Sequence, residues 1–235
     1  MKLIRNISLT ATAFIFILTN LSFYKTVENN NPNIVPKKQI NGYYFFVNRT
    51  TNQIVNLNGY SSVDSLSEGL FKVDGEFGYG FCDKAGKEII PCKFYVASSF
   101  KDGISIVDTG SYRNAKTGII NKNGLWIVDP VYDKINEFNN GIALFKKDDR
   151  YGWMNKNGQW IITPVFDDAD DFDEFGLAKV KVGDKYGWVD KKGQWKINPF
   201  YDGASSFNQF GIAIVTINGF DGCINTKGEL IVNPT

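Results

Sequence analysis

Residues 186–199 read Tyr-Gly-Trp-Val-Asp-Lys-Lys-Gly-Gln-Trp-Lys-Ile-Asn-Pro, and the fold turns on how this stretch is read. Asp190 and Gly193 bracket two lysines. An Asx side chain at the start of such a corner accepts backbone N–H groups inside it, and a Gly three residues on supplies the positive φ that joins twisted antiparallel strands. The flanks, 186–189 and 194–197, are short and rich in aromatic and β-branched residues, as strands are. The stretch therefore predicts a β-hairpin.

The same pattern recurs on both sides: GFCDKAGKEIIP from Gly80, GIINKNGLWIVDP from Gly118, GWMNKNGQWIITP from Gly152 and GCINTKGELIVNP from Gly222. The turn begins at Asp83, Asn121, Asn155, Asp190 or Asn225. Its glycines, Gly86, Gly124, Gly158, Gly193 and Gly228, are spaced by 38, 34, 35 and 35 residues. A fixed period of this size signals a repeat architecture. Pro91, Pro130, Pro164, Pro199 and Pro234 follow the second strand and are expected to end it, because proline cannot donate to a ladder. A polar stretch then leads to Phe and Gly, and a third strand alternates, as in Ile142-Ala-Leu-Phe and Ile212-Ala-Ile-Val. The expected fold is all-β: a tandem array of about five three-stranded antiparallel meanders. Stacked meanders form either an open superhelical array or a small propeller-like ring, and the short unit favours the open array.

These residues resemble the bacterial WG-repeat family, named for the Trp-Gly or Gly-Trp pair in its units. Tyr151-Gly152-Trp153 and Tyr186-Gly187-Trp188, each followed by Gly-Gln-Trp, Ile-x-Pro and Phe/Tyr-Asp, look like full units. Phe81, Ile119 and Cys223 replace the Trp in the flanking units, and the first unit lacks the Asp after its Pro. Residues 42–73 look like a decayed terminal copy, of the kind that caps an array. The resemblance implies an all-β array with interaction roles and points to no particular activity.

Composition narrows the function. Lys+Arg of 26 against Asp+Glu of 25 leave a net charge of +1, which gives no electrostatic footprint for nucleic acid. The absence of histidine removes His-based general bases, Ser-His and Cys-His pairs and the commonest zinc ligands. No cofactor is implied. Lys2 and Arg5 precede an uncharged run over residues 7–23, the grammar of export. Residues 1–24 are expected to be a signal peptide or an N-terminal membrane anchor, residues 25–41 a polar linker, and residues 42–235 the repeat domain. The protein is then exported: periplasmic, at the cell surface, or held at the membrane by its N-terminal segment alone. Cys82, Cys92 and Cys223 are odd in number and receive neither a disulfide nor a redox role.

Two aromatic columns are the candidate ligand surface: Tyr151, Trp153, Tyr186 and Trp188 around the first Gly, and Trp160 and Trp195, together with Trp126, after the turn. The tryptophans have a packing reading and a binding reading. Burying an indole stabilises by roughly 3 kcal/mol, while an exposed row of rings can stack on sugars or on a peptide. A bare Gly beside them is expected to leave an aromatic uncovered. Asp133, Asp167 and Asp202, three residues after their prolines, are expected to accept backbone N–H groups at a bend. The run Asp167, Asp168, Asp170, Asp171, Asp173 and Glu174 is dense in hard oxygen donors but lacks the EF-hand pattern, so a solvated loop and a calcium loop both remain open. The function expected is a non-catalytic cell-envelope module that presents a repeat surface to a protein or glycan. The alternatives are an envelope hydrolase using repeat-loop carboxylates and a purely structural spacer.

Overall fold

The computed structural model describes residues 34–38, 42–55 and 59–234, so the expectation for residues 1–24 lies outside the described residues. A two-stranded ribbon opens the domain, with β1 (Ile34–Lys38) antiparallel to β2 (Tyr44–Asn48). Five sheets follow. Sheet I holds β3 (Ser62–Val63), β4 (Leu70–Gly75), β5 (Gly78–Asp83) and β6 (Glu88–Phe94). Sheet II holds β7 (Val96–Ala97), β8 (Ile104–Thr109), β9 (Lys116–Asn121) and β10 (Trp126–Tyr132). Sheet III holds β11 (Lys134–Ile135), β12 (Ile142–Lys147), β13 (Arg150–Asn155) and β14 (Trp160–Phe166). Sheet IV holds β15 (Asp168–Ala169), β16 (Leu177–Val182), β17 (Lys185–Asp190) and β18 (Trp195–Tyr201). Sheet V holds β19 (Gly203–Ala204), β20 (Ile212–Ile217), β21 (Phe220–Asn225) and β22 (Leu230–Val232). Each is an antiparallel meander in sequence order.

The predicted corners are present. Asp190 Oδ1 accepts the N–H groups of Lys192 and Gln194 at 2.9 and 3.0 Å, and Asn155 Oδ1 accepts those of Asn157 and Gln159 at 3.0 and 3.1 Å. Gly193 closes its turn at φ 77° and Gly158 at φ 76°. These are three-residue hairpin loops with a glycine at the left-handed position.

Three expectations need correction. The unit has four strands, because a two-residue strand sits in the stretch read as polar loop. The third strand of the sequence reading, such as Ile142–Lys147, belongs to the following sheet. Four of the five prolines do not end their strands: Pro91 lies inside β6, Pro130 inside β10, Pro164 inside β14 and Pro199 inside β18, each where the register with the preceding strand shifts, while Pro234 follows the end of β22. An edge strand with a bulge tolerates proline because no ladder donor is required there. The linker is shorter than expected, since Ile34–Lys38 pairs with β2 and Ile34 is buried against Phe46, Tyr60, Val73 and Cys82.

The bulge explains the first glycine of each unit. A Cβ on Gly187 would stand 2.6 Å from the Ile197 carbonyl oxygen and 2.7 Å from the Pro199 nitrogen. Gly152 faces Ile162 O at 2.6 Å and Pro164 N at 2.9 Å in the same way. The bulged strand rests its backbone on the glycine, so this residue is covered, where the sequence had suggested an opening beside an aromatic.

The sheets stack face on face, and the core is a series of joints. Leu144, Trp153, Ile162 and Phe166 of sheet III meet Ala178, Val180 and Val189 of sheet IV. Leu177, Trp188, Ile197 and Tyr201 then meet Ala213, Val215 and Ile224 of sheet V. Turn glycines seat on the sheet before: Gly124 on Ile90 at 3.3 Å, Gly158 on Val128 at 2.6 Å, Gly193 on Ile162 at 3.3 Å and Gly228 on Ile197 at 3.2 Å, measured from the Cβ each would carry. Gly86 seats on Phe46 of the ribbon, which stands where a preceding sheet would.

Candidate functional site

The corner between sheets is one residue long, and the repeated Asp occupies it. Asp167, between β14 and β15, is ion-paired with Arg150 of the sheet being left, and its Oδ2 accepts the Gly183 N–H at 2.7 Å from the sheet being entered. Asp202 does the same with Lys185 and the Asn218 N–H at 2.7 Å, and Asp133 with Lys116 and, at 3.4 Å, the Asp149 N–H. The lysine ammonium groups beside Asp133 and Asp202 hold both carboxyls below the usual carboxylate range. These acids are staples, satisfied on both oxygens.

The acidic run is dispersed by the same logic. Asp170 pairs with Lys179 at 3.1 Å and accepts from the Ser206 hydroxyl at 2.5 Å. Asp171 accepts from the Asn136 amide at 3.1 Å, and Asp173 caps the N–H groups of Phe175 and Leu177, both at 2.9 Å. Among the described residues no three acidic or cysteine side chains converge on a common point. The cysteines are free thiols, and burial pushes Cys82 up to about 12 and Cys92 up to about 11.

The candidate aromatics separate into two groups. Trp153 and Trp188 are 0% exposed. Trp153 packs against Phe172 and Phe166, and Trp188 against Phe207 and Tyr201, with ring centroids 4.9–5.9 Å apart. They are core, and as ligand-surface residues they are withdrawn: the next sheet covers them. Tyr151 and Tyr186 are half-buried, with Lys146 5.7 Å from the Tyr151 ring and Lys179 and Lys181 5.7 and 5.4 Å from the Tyr186 ring.

The surface row is the other column. Trp126, Trp160 and Trp195 open the outermost long strand of three consecutive sheets at 38%, 44% and 40% exposure. Each leans on an aromatic from the end of the preceding sheet: Trp126 on Phe94 at 6.0 Å, Trp195 on Phe166 at 5.9 Å, and Trp160 by donating its indole N–H to the Tyr132 hydroxyl at 3.0 Å. Phe145 stacks on Trp160 at 5.7 Å, and the Lys147 ammonium lies 5.5 Å from the Trp160 ring and 5.7 Å from Tyr132. The rings are thus fixed on one side and open to solvent on the other. Ile127, Ile161 and Val165 of the same strands are also exposed. Sequence reasoning found Trp160 and Trp195 through their place after the turn. It missed Lys147, which comes to Trp160 from the neighbouring strand pair.

A concavity of about 580 Å³ lies among the loops that follow the two-residue strands and spans three sheets through Ser67, Glu68, Ser98, Phe100, Asp102, Ile106 and Phe138. Many of its polar groups are already engaged: Ser67 donates to the Phe100 carbonyl at 2.6 Å, and Glu68 accepts the Gly103 N–H at 2.9 Å and pairs with Lys122 at 3.0 Å.

Four consecutive stretches, 79–111, 118–151, 151–186 and 186–219, match the model of the family described as WG containing repeat, together more than half of the chain. No curated protein matches. Among solved structures, Kluyveromyces lactis Hsv2p shares 8% identity over 84% of this chain and 73% of its own, with a TM-score of 0.41. A eukaryotic initiation factor shares 10% over 81% of this chain and 60% of its own, with a TM-score of 0.43. A quinonprotein alcohol dehydrogenase-like protein from Bacteroides thetaiotaomicron shares 14% over 89% of this chain and 67% of its own, with a TM-score of 0.33. This chain spans less than two thirds of the initiation factor, and the likenesses are too distant to bear on function.

Proposed function

This chain belongs to the WG containing repeat family, and from that premise we propose that it is a non-catalytic recognition or scaffolding module of the cell envelope. Trp126, Trp160 and Trp195 form its contact surface for an extended protein or glycan ligand. The observation that carries the reading is the row itself: three half-exposed indoles at one register position of successive sheets, each braced by the sheet before it. A braced ring loses little freedom on binding, and its open face stacks on a sugar or on a proline or aromatic side chain. A row with the period of the repeat suits a linear ligand that offers the same contact several times, because linked weak contacts add through effective concentration. Export, with the N-terminal segment as signal or anchor, places this surface outside the cytoplasm.

The test is binding of the full chain to arrays of cell-wall glycans and of peptides, with Trp126→Ala, Trp160→Ala and Trp195→Ala. Loss of binding in the single variants, with circular dichroism unchanged, supports the row. Binding unchanged in the triple variant refutes it.

A further inference from the structure

In successive sheets the lysine after the turn Asx reaches back to an acid on the sheet before. Lys122, after Asn121, pairs with Glu68 at 3.0 Å, and Lys156, after Asn155, pairs with Asp102 at 2.8 Å. Glu68 and Asp102 each precede a glycine and hold left-handed backbone, at φ 50° and 55°. The next position of this series is Asn140, at φ 51° before Gly141, and the lysine opposite it is Lys191, after Asp190. An amide stands where the carboxylate was, and among the described residues the Lys191 ammonium has no ion pair or hydrogen bond.

Asn140 and Lys191 line a cavity of about 290 Å³ at the joint of sheets III and IV, together with Trp153, Asp173 and Glu174. Trp153 is buried, and its indole N–H has no acceptor among the described residues. Asp173 uses only Oδ1 to cap the Phe175 and Leu177 N–H groups, and Glu174 has no partner among the described residues. Unmatched donors, on Lys191 and Trp153, thus border one cavity with unmatched acceptors, Asp173 Oδ2 and Glu174. The next joint is built otherwise. Phe175 takes the position of Asn140 and Thr226 that of Lys191, and both pack at Gly211, 3.5 and 3.2 Å from the Cβ it would carry.

We propose that this cavity binds a free α-amino acid in its zwitterionic form. The ligand carboxylate takes on Lys191 the place that the Asp102 carboxylate holds on Lys156, and it offers the Trp153 N–H the acceptor it lacks. The ligand ammonium meets Glu174 and the free oxygen of Asp173. A simple anion would face those carboxylates and a simple cation would leave Lys191 unmatched, so both charges belong on one molecule. The volume lies just below the range of roughly 300–1,000 Å³ that suits drug-sized ligands, and a short apolar side chain fits against Ile142 and Phe172, which also line the cavity. Glu174 and Lys191 are exposed, and turning them onto the ligand opens the way to the covered indole. The site shares no residue with the exposed tryptophan row.

The test is proton–nitrogen NMR of the full chain in mild detergent, titrated with glycine, L-alanine, L-serine and L-valine to about 10 mM. The Trp153 indole signal, identified through Trp153→Phe, is expected to shift saturably with at least one of them, while that of Trp188 stays in place. Asn140→Asp gives Lys191 the acid that Asp102 gives Lys156, on a backbone that Asp102 already tolerates at φ 55°. This variant is expected to keep the fold and to raise the dissociation constant about 10-fold or more. The amide and the N-acetyl derivative of the best-bound amino acid, each lacking one charge, are expected to bind weaker by a similar factor. A Trp153 signal that none of these amino acids moves overturns the inference, as does a response unchanged in Asn140→Asp, or one that the singly charged derivatives reproduce.

Discussion

Asp202 accepts the backbone N–H of Asn218 at 2.7 Å, and this one contact ties the corner leaving sheet IV to the far turn of sheet V. Its other carboxylate oxygen holds Lys185, so a single side chain fixes the angle at which one sheet follows another.

The staples make stability depend on pH in a stated direction. The carboxyls of Asp133 and Asp202 titrate below their ordinary range in the folded chain, where the lysine partners favour the anion. Their contribution is complete above the unfolded value, about 3.9, and is lost as the pH falls through the lower folded value. Urea denaturation followed across the acid range is expected to show this loss, and a shallower one in Asp133→Asn/Asp202→Asn. Equal slopes in the two proteins would show that the staples do not titrate with folding.

The two glycine positions are expected to fail for different reasons and by different amounts. Gly187→Ala puts a methyl against the Ile197 carbonyl and the Pro199 nitrogen, both backbone, so relief requires the bulged strand to move, at about 2–4 kcal/mol. Gly193→Ala asks only the Ile162 side chain, 3.3 Å from the new methyl, to give slightly and forces alanine to φ 77°, at about 1–2 kcal/mol. Chemical denaturation of both variants tests the order, and a Gly193→Ala variant less stable than Gly187→Ala would contradict it.

The two tryptophan columns are expected to separate in the same assay. Trp188→Ala empties a buried site between sheets IV and V and destabilises by about 3–5 kcal/mol. Trp160→Ala removes a 44%-exposed ring and one hydrogen bond, for about 1 kcal/mol. Binding should respond the other way, with Trp160→Ala affected in a protein that still folds.

Thiol labelling reports on the ribbon. Cys82 is buried beneath Phe46 and Tyr60 with its pKa pushed up to about 12, so at pH 8 it should resist alkylation until the ribbon leaves sheet I. Phe46→Ala is expected to unmask it, with rapid labelling in the variant and slow labelling in the wild type, as followed by mass spectrometry. Equal rates would mean that Phe46 does not guard the joint.

The hairpins, the period and the all-β class were legible in the sequence because each depends on residues close together in the chain. An Asx and a Gly three positions apart form their corner whatever surrounds them, as Asp190 and Gly193 do. The four-strand count was not legible: Asp168–Ala169 is two residues long, too short for any alternation to appear, and it exists only through its pairing with Val180 and Lys181. The same holds for Trp188 and Trp195, seven residues apart and similar in context. One is sealed by Ala213, Val215 and Ile224 of the following sheet, while the other lies on an edge strand with one side on Phe166 and 40% of its surface exposed. Local chemistry wrote the corners, and only the stacking of one sheet on the next, through contacts about one repeat away, decided which indoles became core and which became surface.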